Sequence, residues 1–201
     1  TARLGHAHAG HLLGIHLNLL PLRRDLVAAD AASPEERCYL EELARWLREE
    51  AGYQAIQGTR PQTLAFALTD SPAGLAAWIV EKFRAWSDCG GDVEAVFGKD
   101  ELLANIALYW FTGCINASFW PYYARMHGPW PIPDGGVAVP TGYAAFPHEI
   151  LQPPRSAAER MFKDIRRWTP MARGGHFAAM EQPEALAEET RAFFRPLRAG
   201  R

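Results

Sequence analysis

Leu12-Leu13-Gly14-Ile15-His16-Leu17-Asn18 is a short apolar run, and what flanks it sets the architecture. Its length and its lack of a helical stripe predict a buried strand of a mostly parallel sheet. Residues 1–8 before it read as the end of a helix, so the two make one helix-to-strand step. After it the character changes. Ser33-Pro34-Glu35-Glu36 is a helix start, with Ser as N-cap, Pro at N1 and Glu at N3. From there to about Gly128 the chain reads as helices. The first carries Tyr39, Leu40, Leu43, Trp46 and Leu47 on one stripe and is expected to end at Gly52. A second is capped by Asp70-Ser71-Pro72 and broken by Cys89-Gly90-Gly91-Asp92, a third spans Lys99 to Thr112, and a fourth covers 114–126.

A Pro/Gly-rich stretch, Gly128 to Gly136, marks the return to another layer. Val137 to Tyr143 is short and β-like. Ser156-Ala157-Ala158-Glu159 reads as a second capping box, and Ile165 to Met171 as a last strand whose end is blurred by Pro170. Gly174-Gly175-His176 forms a loop, and Pro183-Glu184 opens a terminal amphipathic helix with Leu186, Phe193 and Phe194. The order is that of the back half of an open α/β sheet with an all-helical lid spliced into it. The expected divisions are 1–32 and 129–201 for the sheet part and 33–128 for the lid.

The bulk properties narrow the function. The chain has 201 residues, 48% of them hydrophobic, enough for a sizeable core. Net charge is −2 with both signs dispersed, which argues against a nucleic-acid partner. No run approaches the ~20 apolar residues of a membrane-spanning helix. Three cysteines without ligand spacing read as free thiols in a reducing, cytoplasmic setting. A chain opening on Thr1 without an initiator Met reads as a fragment or processed product.

Two loop residues and three lid tyrosines are candidates for chemistry. His176 follows two glycines in a tight loop after a strand, a position suited to a general base; an ordinary surface histidine is the competing reading. Glu149, in Phe146-Pro147-His148-Glu149-Ile150 after the preceding strand, could orient that histidine or simply be solvated. Tyr53 and the Tyr122-Tyr123 pair lie near helix ends in the lid. Two phenols converging on one oxygen can stabilise a developing alkoxide, though most tyrosines merely pack. His6, His8 and His11 lack Cys, Asp or Glu at ligand spacing and read as a solvated segment. His16 reads as a satisfied core residue, and Trp78, Trp86 and Trp110 as lid packing. No phosphate loop and no nucleophile elbow is present.

Several stretches, in order, resemble the microsomal and juvenile-hormone type of epoxide hydrolase and its bacterial relatives. They are Gly14 to Asn18, Gly52 to Gln57 with Thr59 to Thr63, Ala67 to Ile79, Leu108 to Gly113, Val139 to Gly142, Phe146 to Glu149 and Arg173 to Glu184. The resemblance implies the C-terminal half of an α/β-hydrolase sheet with an all-helical cap inserted between strands. It also implies a covalent route to a vicinal diol and a role in detoxification. Tyr53 and Tyr122 would hold the epoxide oxygen, His176 would activate water, and Glu149 would orient His176. No metal or organic cofactor is implied.

The family's nucleophile is an Asp in a Gly-Gly-Asp-Trp-Gly turn, which is absent here. None of Asp25, Asp30 or Asp70 stands in a strand-turn-helix context. The chain alone is therefore expected to be nearly inactive, and to expose an unpaired sheet edge. The expected partners are a small apolar epoxide and water, with either a second copy of the chain or the family's N-terminal half. A haloalkane dehalogenase or serine esterase of the same fold, or a non-catalytic remnant, remains an alternative.

Overall fold

Ile15 donates its backbone N–H to Pro140, and Thr141 donates to Asp164, both at 2.8 Å, so distant parts of the sequence are tied into one parallel ladder. The structure, a computed structural model, describes residues 1–22, 33–130, 132 and 136–199. Asp25, Asp30 and most of the stretch 131–135, weighed above, lie outside the described residues. The elements run α1 (Ala2–Ala7), β1 (Ile15–Leu17), α2 (Pro34–Glu49), α3 (Gly52–Thr59), α4 (Pro61–Asp70), α5 (Pro72–Trp86), α6 (Lys99–Thr112), α7 (Ile115–His127), β2 (Thr141–Ala145), α8 (Arg155–Glu159), β3 (Ile165–Pro170), α9 (Ala178–Glu181) and α10 (Pro183–Ala199). The strands lie in the order β1-β2-β3, with Ile15 opposite Thr141 and Tyr143 opposite Trp168. Pro170 ends the edge strand β3, where a missing N–H costs little. Among the described residues no single helix is long and apolar enough to cross a membrane.

Two compact units emerge, one of residues Thr1–Ala44 and Pro131–Arg201, the other of Arg45–Trp130. The start of α2 thus falls with the sheet unit. The cause is Glu36. Ser33 Oγ accepts from the Glu36 N–H at 3.1 Å, as the capping box requires. The carboxylate of Glu36 also accepts from Ser156 Oγ at 3.0 Å and from Arg160 Nη2 at 2.8 Å. Only 2% of Glu36 is exposed, so this buried charge is tolerable because it is paired. Tyr39, one turn on, packs against Ala157. Ser156 is therefore not a helix cap: α8 starts at Arg155 behind Pro154 and has no side-chain cap.

The helical unit holds two helices the sequence reading missed. Gly52 opens α3 instead of closing α2, and α4 follows at once. Prolines cut this region. Pro61 and Pro72 occupy first-turn positions, where a missing N–H is harmless, and push Arg60 and Ser71 out of the helical region. Ser71 Oγ then caps α5 by accepting from the Gly74 N–H at 3.0 Å. The chain bends by 117° between α4 and α5 and by 89° between α6 and α7. Leu68, Leu75, Ile106, Ile115 and Phe119 form the core, with Trp78 and Trp110 packed against it.

In the sheet unit, α10 is fastened by a second buried carboxylate. Glu189 accepts both Nε and Nη2 of Arg167, at 2.6 and 2.7 Å, and Thr169 Oγ1 at 2.8 Å. His16 Nε2 lies 3.8 Å from Glu189 Oε1, too far for a hydrogen bond, and is buried without a partner. His16 is thus a core histidine, but not a satisfied one. Burial holds its pKa below the ordinary 6.5, outweighing the attraction of Glu189. For Glu189, burial is the largest single influence and acts upward, but the bonds from Arg167 and Thr169 carry the pKa below 4.5.

Both groups resist protonation more in the folded chain than in the unfolded one. Their stabilisation is complete above the unfolded pKa and is lost as pH falls through the lower folded value. The melting temperature should therefore fall in two stages on acidification, beginning near 6.5 for His16 and near 4.5 for Glu189. Melting curves followed by circular dichroism check this: His16→Gln should remove the first stage and Glu189→Gln should blunt the second.

Candidate active site

The loops after β2 and β3 are held together by backbone. His148 and Gly175 form an isolated parallel bridge, and the His148 N–H donates to Gly174 at 3.1 Å. Residues on either side of this bridge are thereby brought into register, and they are Glu149 and His176. His176 Nδ1 lies 2.6 Å from Glu149 Oε1. The same oxygen accepts the Ile150 N–H at 2.7 Å, while Glu149 Oε2 is buried without a partner. The Glu149 side chain is wholly buried; that of His176 is 24% exposed. With Nδ1–H directed at a carboxylate, the lone pair belongs to Nε2, the tautomer a base requires.

Local sequence explains how the histidine is presented. Gly174 has φ +104°, and a Cβ there would come within 2.8 Å of Gln182 and 2.9 Å of Phe146. Directly after His176 the chain turns into α9. Glu181 reaches back to accept the Phe177 N–H at 3.0 Å, and the Phe177 ring stands edge-on to the imidazole. The histidine is thus framed by a glycine turn on one side and a closed helical turn on the other.

In the helical unit, Tyr53 lies in the first turn of α3 and Tyr122 on α7. Their ring centroids are 5.7 Å apart in a T-shaped contact. Where the two helices approach, a Cβ on Gly58 would come within 2.7 Å of the end of the Met126 side chain. Tyr123 points elsewhere: it stacks on His127 at 4.0 Å and meets Trp120 at 5.5 Å. Adjacent residues on a helix face directions about 100° apart, so only one of the two tyrosines can meet Tyr53.

The Tyr53 hydroxyl accepts from Gln54 Nε2 at 3.0 Å. Burial pushes the Tyr53 phenol up to about 12 and raises Tyr122 as well. Both stand as neutral phenols at neutral pH, able to donate an O–H hydrogen bond to a bound oxygen. Around them stand Trp46 and Trp86, at 6.4 and 5.3 Å from the Tyr53 ring.

No protein-family profile matches the chain. Individual relatives do. A putative epoxide hydrolase of Stigmatella aurantiaca is 40% identical over 199 residues, 99% of this chain and 45% of the relative. Epoxide hydrolase 1 of Sus scrofa is 43% identical over 157 residues, 73% of this chain and 34% of the relative. The juvenile hormone epoxide hydrolase of the silkworm Bombyx mori superposes with a TM-score of 0.85 at 29% identity, covering 98% of this chain and 51% of that one. The chain is similar to the C-terminal part of these epoxide hydrolases. Its architecture is accordingly the C-terminal half of an α/β-hydrolase fold. An Aspergillus niger epoxide hydrolase shares that fold with a TM-score of 0.75. The chain spans less than half the length of these curated relatives.

Sequence reasoning missed the surroundings of Tyr53. Gln54 was visible only as a neighbour in sequence. Trp86 reads from the sequence as packing. Their convergence depends on how α3 and α5 meet, for which the sequence holds no local signal.

The glycine turn can be tested directly. Gly174→Ala forces a side chain into φ +104° against Gln182 and Phe146, a strain of about 1–3 kcal/mol. The variant should melt earlier and lose the downfield Nδ1–H proton resonance of His176, whereas Gly10→Ala, where a Cβ meets open space, should retain both.

Proposed function

We propose that the chain carries the oxygen-holding and water-activating parts of an epoxide hydrolase that converts an apolar epoxide to a vicinal diol. The observation that carries the reading is the 2.6 Å His176–Glu149 pair, because a histidine oriented by a buried carboxylate is the arrangement that takes a proton from water. The protonated phenol pair and the named relatives support it further.

In this reading a carboxylate attacks one epoxide carbon, the carbon–oxygen bond breaks, and an ester forms. Tyr53 and Tyr122 donate hydrogen bonds to the departing oxygen as its charge grows, which lowers the barrier only to the extent that the bonds tighten in the transition state. One of them gives up its proton to the alkoxide. Water then attacks the ester carbonyl while His176 Nε2 takes its proton, and Glu149 stabilises the resulting imidazolium. The acyl–oxygen bond breaks, the diol leaves, and the carboxylate is restored. The proton passes from the imidazolium back to the phenol through solvent.

The attacking carboxylate is assigned to none of this chain's residues. Asp70 closes helix α4 in the helical unit, far in character from a strand-turn-helix nucleophile. The polypeptide by itself should therefore bind an epoxide yet form diol no faster than the uncatalysed reaction.

Ligand-observed NMR with styrene oxide and its carbocyclic analogue, phenylcyclopropane, separates the parts of this reading. The Tyr53→Phe/Tyr122→Phe variant should lose about tenfold or more in styrene oxide affinity, the worth of one to two hydrogen bonds. Its affinity for phenylcyclopropane should be unchanged. Equal losses for both ligands would remove the phenols from the oxygen-holding role. Diol formed at enzyme-like rates by the unmodified chain, and abolished by His176→Ala, would show that the nucleophile lies within it.

A further inference from the structure

Lys82 projects from α5 with its side chain 19% exposed, unusually covered for a lysine. Its ammonium stands 5.2 Å from the centroid of the Tyr53 ring and 5.3 Å from that of Trp86. Both distances fall within the ~6 Å over which a cation is drawn to an aromatic face. Two carboxylates hold it there, Glu50 at 3.2 Å and Glu81 at 2.9 Å. A surface lysine ordinarily lays its stem along apolar groups and turns its charge to water. Here the charge ends over the ring of the same tyrosine whose hydroxyl accepts from Gln54 and whose ring meets that of Tyr122.

We propose that Lys82 is a positioning residue for Tyr53, fixing its ring against Trp86 and polarising the phenol through its face so that the O–H becomes a stronger donor to an epoxide oxygen. The inference rests on the assignment of Tyr53 to that oxygen. An ammonium over the ring draws π density toward itself and away from the hydroxyl end, leaving the hydroxyl proton more positive. The effect grows as negative charge develops on the accepting oxygen, which is when it matters for catalysis. Lys82 transfers no proton in this scheme and keeps its charge throughout. Glu50 and Glu81 hold the ammonium within reach of the ring, so a neutral side chain of similar length could fill the space without reproducing the effect.

The full chain, with its tyrosines labelled with carbon-13 at Cζ, provides the test. The Tyr53 resonance is identified by its loss in Tyr53→Phe. Lys82→Met should displace it while leaving the resonances of Tyr39 and Tyr143 in place, and Lys82→Arg, which keeps the charge, should return it close to its original position. Styrene oxide affinity should drop about threefold to fivefold in Lys82→Met, the size of a partly exposed cation–aromatic contact, and recover in Lys82→Arg. A Tyr53 resonance that does not move in Lys82→Met, or that moves equally in Lys82→Arg, overturns the proposal and leaves Lys82 a packing residue. Styrene oxide that the unmodified chain fails to bind overturns the epoxide reading itself. Binding that persists with an unmoved Tyr53 resonance overturns the role of Lys82 alone.

Discussion

The parallel pairing of β2 with β3, prolonged past the strands by the His148–Gly175 bridge, is the constraint on which the sheet unit's chemistry depends. Glu149 and His176 are 27 residues apart in sequence. Each follows its strand by a few residues, so strand register alone decides whether they meet. Shifting a pairing by one residue turns every side chain to the opposite face. The bridge prevents such a slip where it matters, at the last ladder position before the pair. Gly174 makes it possible, because its positive φ and close contacts admit no side chain.

Two buried carboxylates hold the scaffold around this pair. Glu36 joins the start of α2 to α8 through Ser156 and Arg160, and Glu189 joins α10 to β3 through Arg167 and Thr169. Neither is catalytic in the proposed reaction. Each is a charge that would be costly to bury alone and is stable because several donors converge on it. His16, beside Glu189 but out of hydrogen-bond range, makes the arrangement sensitive to acid.

The helical unit follows a different logic. Its helices are cut short by Pro61 and Pro72 and turned sharply, so that α3 meets α7 where Gly58 leaves room for Met126. This turns two ordinary amphipathic tyrosines into an edge-to-face pair walled by Trp46, Trp86 and Lys82. Desolvation raises both phenols further above the ordinary tyrosine range.

Much of the local structure was legible in the residues themselves. Ser33-Pro34-Glu35-Glu36 and Ser71-Pro72 start helices where their caps say, and Lys99 to Thr112 is one helix from its stripe, because caps and periodicity act over one or two turns. The motif around His176 and the one around Glu149 were likewise readable as short strings. Elsewhere local signals misled: Ser156 looks like a cap but serves Glu36, Gly52 looks like an end but opens α3, and the apolar setting of His16 suggested a satisfied ring. Bringing the Tyr122 ring against Tyr53, putting Lys82 over Tyr53, and assigning the front of α2 to the sheet were all decided by tertiary packing. The reason is one of range. A sequence records what each residue does to its own few neighbours along the chain, whereas the partner of a buried charge or phenol is set by strand register and helix approach between segments many residues apart.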